Sequence, residues 1–422
     1  MKIFKFGGAS VNSAEAVKNV ASILRNHANE QLVVVFSAMG KTTNAMEEVV
    51  SAAWHKQAEL ETKIAAVEKF HLDILQGLFD IETNPAFNLL DGLMGNVRDY
   101  AGMTDFDYDE FYDRIVPYGE LLSTAIISAY FDETGLNNIL MPAPTLIKTD
   151  DHFRDASVDW EKTCRLITGN IQKTFKENPD HIIITQGFIG STTDGKRTTL
   201  GREGSDFTAS VFAYCLDVEK VVVWKDVEGL LNADPVYFEN TQKIRRISYR
   251  ETIELAFYGA KILHPKTIKP LQNKNIPLEI KSFYNPATAG SMIQASEKSD
   301  HLVPFLILKQ DQVLLSFSAR DFSFITEAEL QRIFGTFNDL HIKINLMQNS
   351  AISFTVCINN PEHKLEKLIT ALNDRFEIRY NSGLELLTIR HFTESLINEH
   401  LAGCDILLEQ RSRSTLQVVY RK

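Results

Sequence analysis

Hydrophobic and polar positions fall into two regimes along the chain. In the first, residues 2–6 alternate polar with apolar, Ala16, Val17, Val20, Ile23 and Leu24 recur at helical spacing within 13–26, and 32–36 are apolar throughout. Alternation predicts a strand, the 3.6-residue period a helix, and an unbroken apolar run a strand covered on both faces of a parallel sheet. Strand, helix, strand is the opening of a βαβ architecture, and further strands at 182–185, 221–224 and 276–282 with a helix at 207–215 continue it. Residues 45–101 read as helix broken near Gly77 and Asn84-Pro85, longer than a simple crossover and expected to form a helical hairpin or lid. The second regime follows a polar stretch, 291–300, expected to be a linker. Strands at 312–318, 341–347, 351–358 and 376–380 enclose helices at 327–339 and 362–372. Then 384–390, 393–400, 405–410 and 416–420 begin the same order again. This is a duplicated β-α-β-β pattern of ferredoxin-like type, whose second copy stops before a closing helix and strand.

At 422 residues the chain exceeds one compact core. A net charge of −11 opposes a nucleic-acid surface, and the basic clusters at 243–246 and 411–413 are short and have acidic neighbours. No run approaches a membrane span and no apolar leader opens the chain, which predicts a cytoplasmic protein. Cys164, Cys215, Cys357 and Cys404 are widely spaced, without a C-x-x-C pair, and are expected to be free thiols. No His or Cys grouping has metal-ligand spacing, so no protein-held metal is expected.

The candidate chemistry lies where predicted strands end. Gly7-Gly8 stops the first strand just before a helix. Such a turn leaves backbone N–H groups and a helix N-terminus open to an anion, with Lys5 as a nearby cation, although an ordinary turn is the plain alternative. It is neither a Walker loop nor a G-x-G-x-x-G fingerprint. Residues 37–44, rich in small and hydroxyl side chains, follow the second strand and belong beside it, since open α/β sheets bind ligands at the carboxyl ends of their strands. Glu120 heads an apolar helix, where an acid suits the helix dipole. Gly201-Arg202-Glu203-Gly204-Ser205-Asp206 leads into the helix at 207–215 and offers an arginine able to grip a carboxylate bidentately.

In order along the chain, Lys5-Phe6-Gly7-Gly8, Thr43-Asn44, Tyr118-Gly119-Glu120, Gly201-Arg202-Glu203-Gly204-Ser205-Asp206 and Gly259-Ala260-Lys261 resemble the aspartate kinases (aspartokinases) over nearly the whole chain. The resemblance implies an α/β amino-acid kinase fold, a mainly parallel sheet between helices, over 1–290. Ferredoxin-like α+β ACT repeats would follow at 301–383 and, shortened, at 384–422. It further implies Mg-ATP-dependent phosphorylation of the L-aspartate side-chain carboxylate to 4-phospho-L-aspartate, the first step towards lysine, threonine and methionine. By that resemblance Lys5, Gly7 and Gly8 meet the transferred phosphate, and Asp206 organises the transfer site. Thr43, Glu120, Arg202 and Ser205 hold aspartate, while Lys225, Asp226 and Lys261 serve ATP, which carries its own Mg²⁺. Asn345 and Ser350 match effector positions for lysine or threonine, and the ACT repeats imply a homodimer.

The chain departs from the family at several places. Ala9 replaces a usual Thr, Glu203 a frequent Gly, and Lys225 the Thr of Thr-Asp-Val. Leu231 and Val236 stand where relatives place Tyr and Arg. Ala328-Glu329-Leu330 replaces Gly-Phe-Leu, and Asn345 replaces an acid. Two other readings remain: an amino-acid-sensing relative with weak catalysis, and a kinase of glutamate type.

Overall fold

Lys2–Phe6 forms β1, the strand around which the first sheet is built. The structure is a computed structural model and describes residues 1–80, 84–103, 105–260, 262–298, 300, 303–321 and 323–422. It divides into two units. The first comprises Met1–Leu230, Lys243–Ile253 and Ile262–Glu297, and the second Leu231–Gln242, Glu254–Lys261 and Lys298–Lys422.

In the first unit the chain continues through α1 (Ala14–Arg25), β2 (Leu32–Phe36), α2 (Thr42–Trp54), α3 (Leu60–Leu78), α4 (Pro85–Ala101), α5 (Tyr108–Ile115), α6 (Tyr118–Glu133) and β3 (Asn138–Leu140). Then come α7 (Trp160–Glu177), β4 (Ile182–Gln186), α8 (Gly204–Leu216), β5 (Lys220–Lys225), β6 (Arg246–Ser248), α9 (Pro265–Lys274), β7 (Leu278–Ser282) and β8 (Ser291–Gln294). The sheet order is β6-β8-β7-β5-β1-β2-β4-β3, parallel except where β7 meets β8. Residues 291–294, expected as linker, are therefore an edge-region strand. They were too short and polar to read as one, and their pairing with β7 and β6 is non-local.

The central strands earn their place by apolar content. All five residues of β2 are buried, and the rings of Phe36 and Trp224 flank Phe6 at 5.5 and 5.7 Å between centroids. Burying each such side chain contributes about 1.5–3 kcal/mol. Helices α2 to α4, the expected helical excursion, add Val49, Ile64, Val67, Leu75, Met94 and Val97 to the same core. Helices α7 and α8 bring together Cys164 and Cys215, 51 residues apart, as a disulfide with Cα atoms 4.7 Å apart. This corrects the expectation of four free thiols, which rested on sequence spacing alone. Cys357 and Cys404 are free. Among the described residues no helix is long and apolar enough to cross a membrane.

The second unit holds β9 (Phe305–Ala319), α10 (Glu327–Asp339), β10 (Ile344–Asn349), β11 (Ser353–Asn359), α11 (Leu365–Leu372), β12 (Phe376–Arg390), α12 (Glu394–Leu401), β13 (Asp405–Arg411) and β14 (Thr415–Arg421). Its antiparallel sheet runs β10-β11-β9-β12-β14-β13. Strands β9 and β12 are each 15 residues long, and a register shift between Lys309 and Gln312 divides their pairing. Residues 312–319 and the start of β12 complete the first repeat. Residues 305–309, paired with 386–390, occupy the closing-strand position of the second. The second repeat thus does not lack that strand, as its sequence order suggested. The strand arrives from ahead of the first repeat. Ala233 and Phe238, from 231–242, join Leu306, Leu387, Ile389 and Leu416 in the apolar cluster of this half, so the division falls differently from a single cut near 290.

Candidate active site

Four parallel strands end level with one another: Phe6 of β1 lies in register with Phe36 of β2 and Trp224 of β5, and Phe36 with Gln186 of β4. The segments leaving these strands consequently emerge on one edge of the sheet, the ligand edge of open parallel sheets. There a cleft of about 750 Å³ is lined by Lys5, Thr43, Glu120, Arg202, Ser205 and Asp206. Side chains separated by up to two hundred positions are gathered because each lies at or just beyond a strand end or in the first turn of a helix.

Lys5, 8% exposed, places Nζ 2.6 Å from Asp206 Oδ1 in the first turn of α8. Burial alone would raise the Asp206 pKa, but the Lys5 and Lys225 cations outweigh it and hold the carboxyl below its ordinary range. Asp206 is therefore held as the carboxylate. Glu120 behaves oppositely. It is 2% exposed, and burial drives its pKa from the ordinary 4.5 to about 8 against the opposing effects of the Ala38 N–H, its own backbone and Lys5. Ala38 N donates to Oε1 at 3.2 Å, while Oε2 has no partner among the described residues. A buried carboxyl with one unmet oxygen is suited to a cationic ligand group. Arg202 is exposed and makes no hydrogen bond or ion pair among the described residues. Glu203, beside it, takes a left-handed φ of 55° and accepts the His264 N–H at 2.6 Å through Oε2. The Gly-to-Glu departure thus fits a position where glycine is conformationally natural, and adds a tether.

The other expected residues are not among those that line this cleft. A Cβ on Gly8 would lie 2.4 Å from Gly40 O and 2.9 Å from Ala38 O, so this glycine lets residues 37–41 pack against the first turn. Gly7 precedes it as the N-terminal neighbour of a short 3-10 turn. Lys225 stands at the end of β5 and donates to Ile262 O at 2.8 Å, and Asp226 follows it, exposed. Neither lines the cleft. Lys261 lies outside the described residues. Asn345 and Ser350 belong to the second unit. The Asn345 amide accepts from Lys309 and donates to Gln312 and Asn359, and the Ser350 hydroxyl lies 2.7 Å from that of Ser353. Sequence reasoning missed Asp109 and Tyr112 on α5 and the segment His152 to Asp155, all of which line the cleft. Residues 150–155 are polar without a period, and Phe153 alone hints at anything beyond a loop. Among the described residues no group of three or more His, Cys, Asp or Glu is placed to hold a metal ion.

A parallel sheet with a charged cleft at its strand ends suits many kinases; residues 1–282 match the amino acid kinase family, and the chain belongs to it. Within that family its relatives are aspartokinases. It is 31% identical over 366 residues to aspartokinase 1, chloroplastic, of Arabidopsis thaliana, covering 85% of this chain and 63% of that one. To aspartokinase 2, chloroplastic, of the same plant it is 30% identical over 388 residues, covering 88% and 69%. The chain thus spans about two thirds of the length of these relatives. Its fold superposes on E. coli aspartokinase III in complex with lysine and aspartate, with a TM-score of 0.82 at 25% identity over 99% of this chain and 95% of that one. On the same enzyme with aspartate and ADP the TM-score is 0.78, again at 25% identity, over 100% and 96%.

Proposed function

We propose that this chain is an aspartate kinase, transferring the γ-phosphoryl group of Mg-ATP to the side-chain carboxylate of L-aspartate. The observation that carries the reading is the pattern of one cleft: a Lys5–Asp206 ion pair, a buried Glu120 with an unmet oxygen, and an unengaged Arg202. That pattern complements a small zwitterion with a second carboxylate. Arg202 takes the α-carboxylate as a bidentate pair, Glu120 the α-ammonium, and the Thr43 and Ser205 hydroxyls the remaining oxygens. Lys5 neutralises charge on the transferring phosphoryl group, and Asp206 holds the Lys5 ammonium in place. Gly7 and Gly8 bring backbone close to the phosphate, and Lys225, Asp226 and Lys261 serve the nucleotide. A carboxylate is already nucleophilic near neutral pH, so positioning and charge neutralisation suffice without a nucleophile triad. Mg²⁺ arriving on the nucleotide supplies further neutralisation at the phosphates.

The product, an acyl phosphate, is trapped by hydroxylamine as a hydroxamate. Hydroxamate should form with aspartate but not with glutamate, and Arg202→Ala should lower kcat/KM for aspartate by about 100-fold, equivalent to about 2.7 kcal/mol. Absence of aspartate-dependent product from folded protein would reject the reading in favour of a sensor. Lysine or threonine in the same assay addresses regulation through Asn345 and Ser350. An effector reaching Asn345 has to displace the Lys309 ammonium, which already donates to its carbonyl at 2.8 Å.

A further inference from the structure

Asp113 is a buried carboxylate that none of the motifs uses. It stands on α5 with no exposed surface. Its Oδ2 accepts two backbone N–H groups, from Arg154 at 3.0 Å and Thr199 at 2.8 Å, and its Oδ1 accepts the Thr199 hydroxyl at 2.7 Å. These donors sit in the two segments that bring arginines to the cleft. One contains Phe153 and Arg154. The other runs from Thr199 into Arg202.

The segments are tied to each other as well. Ala156 N donates to Thr199 O at 2.9 Å, and Lys266 Nζ donates both to Asp155 Oδ1 at 2.8 Å and to Leu200 O at 3.0 Å. Gly201 has a φ of 73°, and a Cβ there would run into the Asp155 carboxylate and come within 3.3 Å of Arg154 O, so the missing side chain leaves room for the facing segment. Arg154 itself is left-handed, with φ 69°. That conformation costs a non-glycine residue roughly 1–2 kcal/mol and persists only where surrounding contacts hold it. The bond from its N–H to Asp113 is such a contact. The Arg154 guanidinium then lies 4.6 Å from the Tyr112 ring centroid, with Nη1 3.1 Å from Asp109, two residues of the same helix that carries Asp113.

We infer that Asp113 is a positioning residue for the substrate carboxylate: by fixing the backbone of Arg154 and Thr199 together, it sets where Arg154 and Arg202 stand in the cleft. It touches no reacting atom. The inference rests on the aspartate reading of the cleft and deepens it by adding Arg154 to the carboxylate-recognising set. Asparagine at this position keeps a carbonyl oxygen for the two N–H groups and can turn its own N–H towards the Thr199 hydroxyl, which is able to accept. Alanine leaves all three donors without an acceptor. The nearby charges, Glu110 and Arg114 on α5, Asp155 on the facing segment and Arg197 before Thr199, stay the same in every variant.

The test is steady-state kinetics of the full chain with aspartate and ATP varied separately, for the wild type, Asp113→Asn, Asp113→Ala and Thr199→Val. Asp113→Ala is expected to raise KM for aspartate by about tenfold or more while KM for ATP stays within about twofold, because misplacement acts on one ligand's clamp. Asp113→Asn should remain within about threefold of the wild type, and Thr199→Val should lie between them. A merely structural role would lower the melting temperature without splitting the two KM values. Equal shifts for both substrates, no shift, or an Asn variant as impaired as Ala would overturn the inference. If Asp113→Ala does not fold, an unchanged aspartate KM in Thr199→Val does the same. A wild type without aspartate turnover rejects the aspartate reading and this inference with it, whereas an active wild type with unsplit KM values rejects this inference alone.

Discussion

A carboxyl group deprived of water keeps its proton, and Glu120 does so in the midst of the charged cleft. With its pKa raised to about 8, the folded chain holds a proton on Glu120 that the unfolded chain releases above about pH 4.5. Stability from this group is therefore present at low pH and is lost as pH rises through that window towards 8. A bound ammonium reverses the preference by pairing with the ionised form, so aspartate binding near neutral pH should release a proton. KM for aspartate is expected to fall by about 50-fold between pH 6 and pH 8, as the ionised fraction of Glu120 rises, and in Glu120→Gln to be higher and flat over the same range. An unaltered pH profile in the variant would remove Glu120 from the ammonium site. Asp113, raised to about 6 by burial against the opposing effects of its three hydrogen bonds and of Arg154, titrates at the lower end of that range and is unchanged in Glu120→Gln, so the difference between the two profiles belongs to Glu120.

At the scale of elements, the glycine turn after β1 matters because residues 37–41 lean on it. Gly8→Ala forces a methyl group against two backbone carbonyls, which have no side-chain freedom with which to yield. Overpacking of this kind typically costs about 1–3 kcal/mol, and activity should fall by more than the melting temperature implies, since the displaced loop carries Ser37 into the cleft and leads directly into the first turn of α2, which carries Thr43. Thermal unfolding and turnover measured together check this; a variant with wild-type activity would show that the loop does not need the contact. The same turn explains what was legible in the sequence. Lys5, Glu120, Arg202, Ser205 and Asp206 sit beside glycines or at helix starts, where local pattern and position in the fold coincide. Arg154 and Asp113 carry no such mark: one lies in an aperiodic polar run, the other on an ordinary amphipathic helix, and their relation exists only across 41 residues of chain. Residues 305–309 escaped for a related reason. Lys309, Gln310 and Asp311 interrupt the alternation of β9, and the partner of 305–309 is the far half of β12.

For the molecule as a whole, the six-stranded sheet leaves β10 and β13 at its edges. Outer β10 carries Met347, half exposed, and exposed edges of this kind invite pairing or must be blunted. We expect a homodimer formed through the ACT-like repeats. Light scattering should give twice the 47.8 kDa chain mass, and replacing Met347 with lysine should weaken the dimer; a monomer at every concentration would argue against it. The central position of β1 has another kind of consequence. One flank of this strand pairs with β2, made soon after it, but the other pairs with β5, some two hundred residues further along. At about 5–20 residues per second of synthesis, that flank stands open for roughly 10–40 s before its neighbour exists. Lys5 meets Asp206 only within the same interval. A chain interrupted on the ribosome before that point presents half a sheet and no active site, and what shields the open side of β1 during those seconds becomes part of how the protein is made.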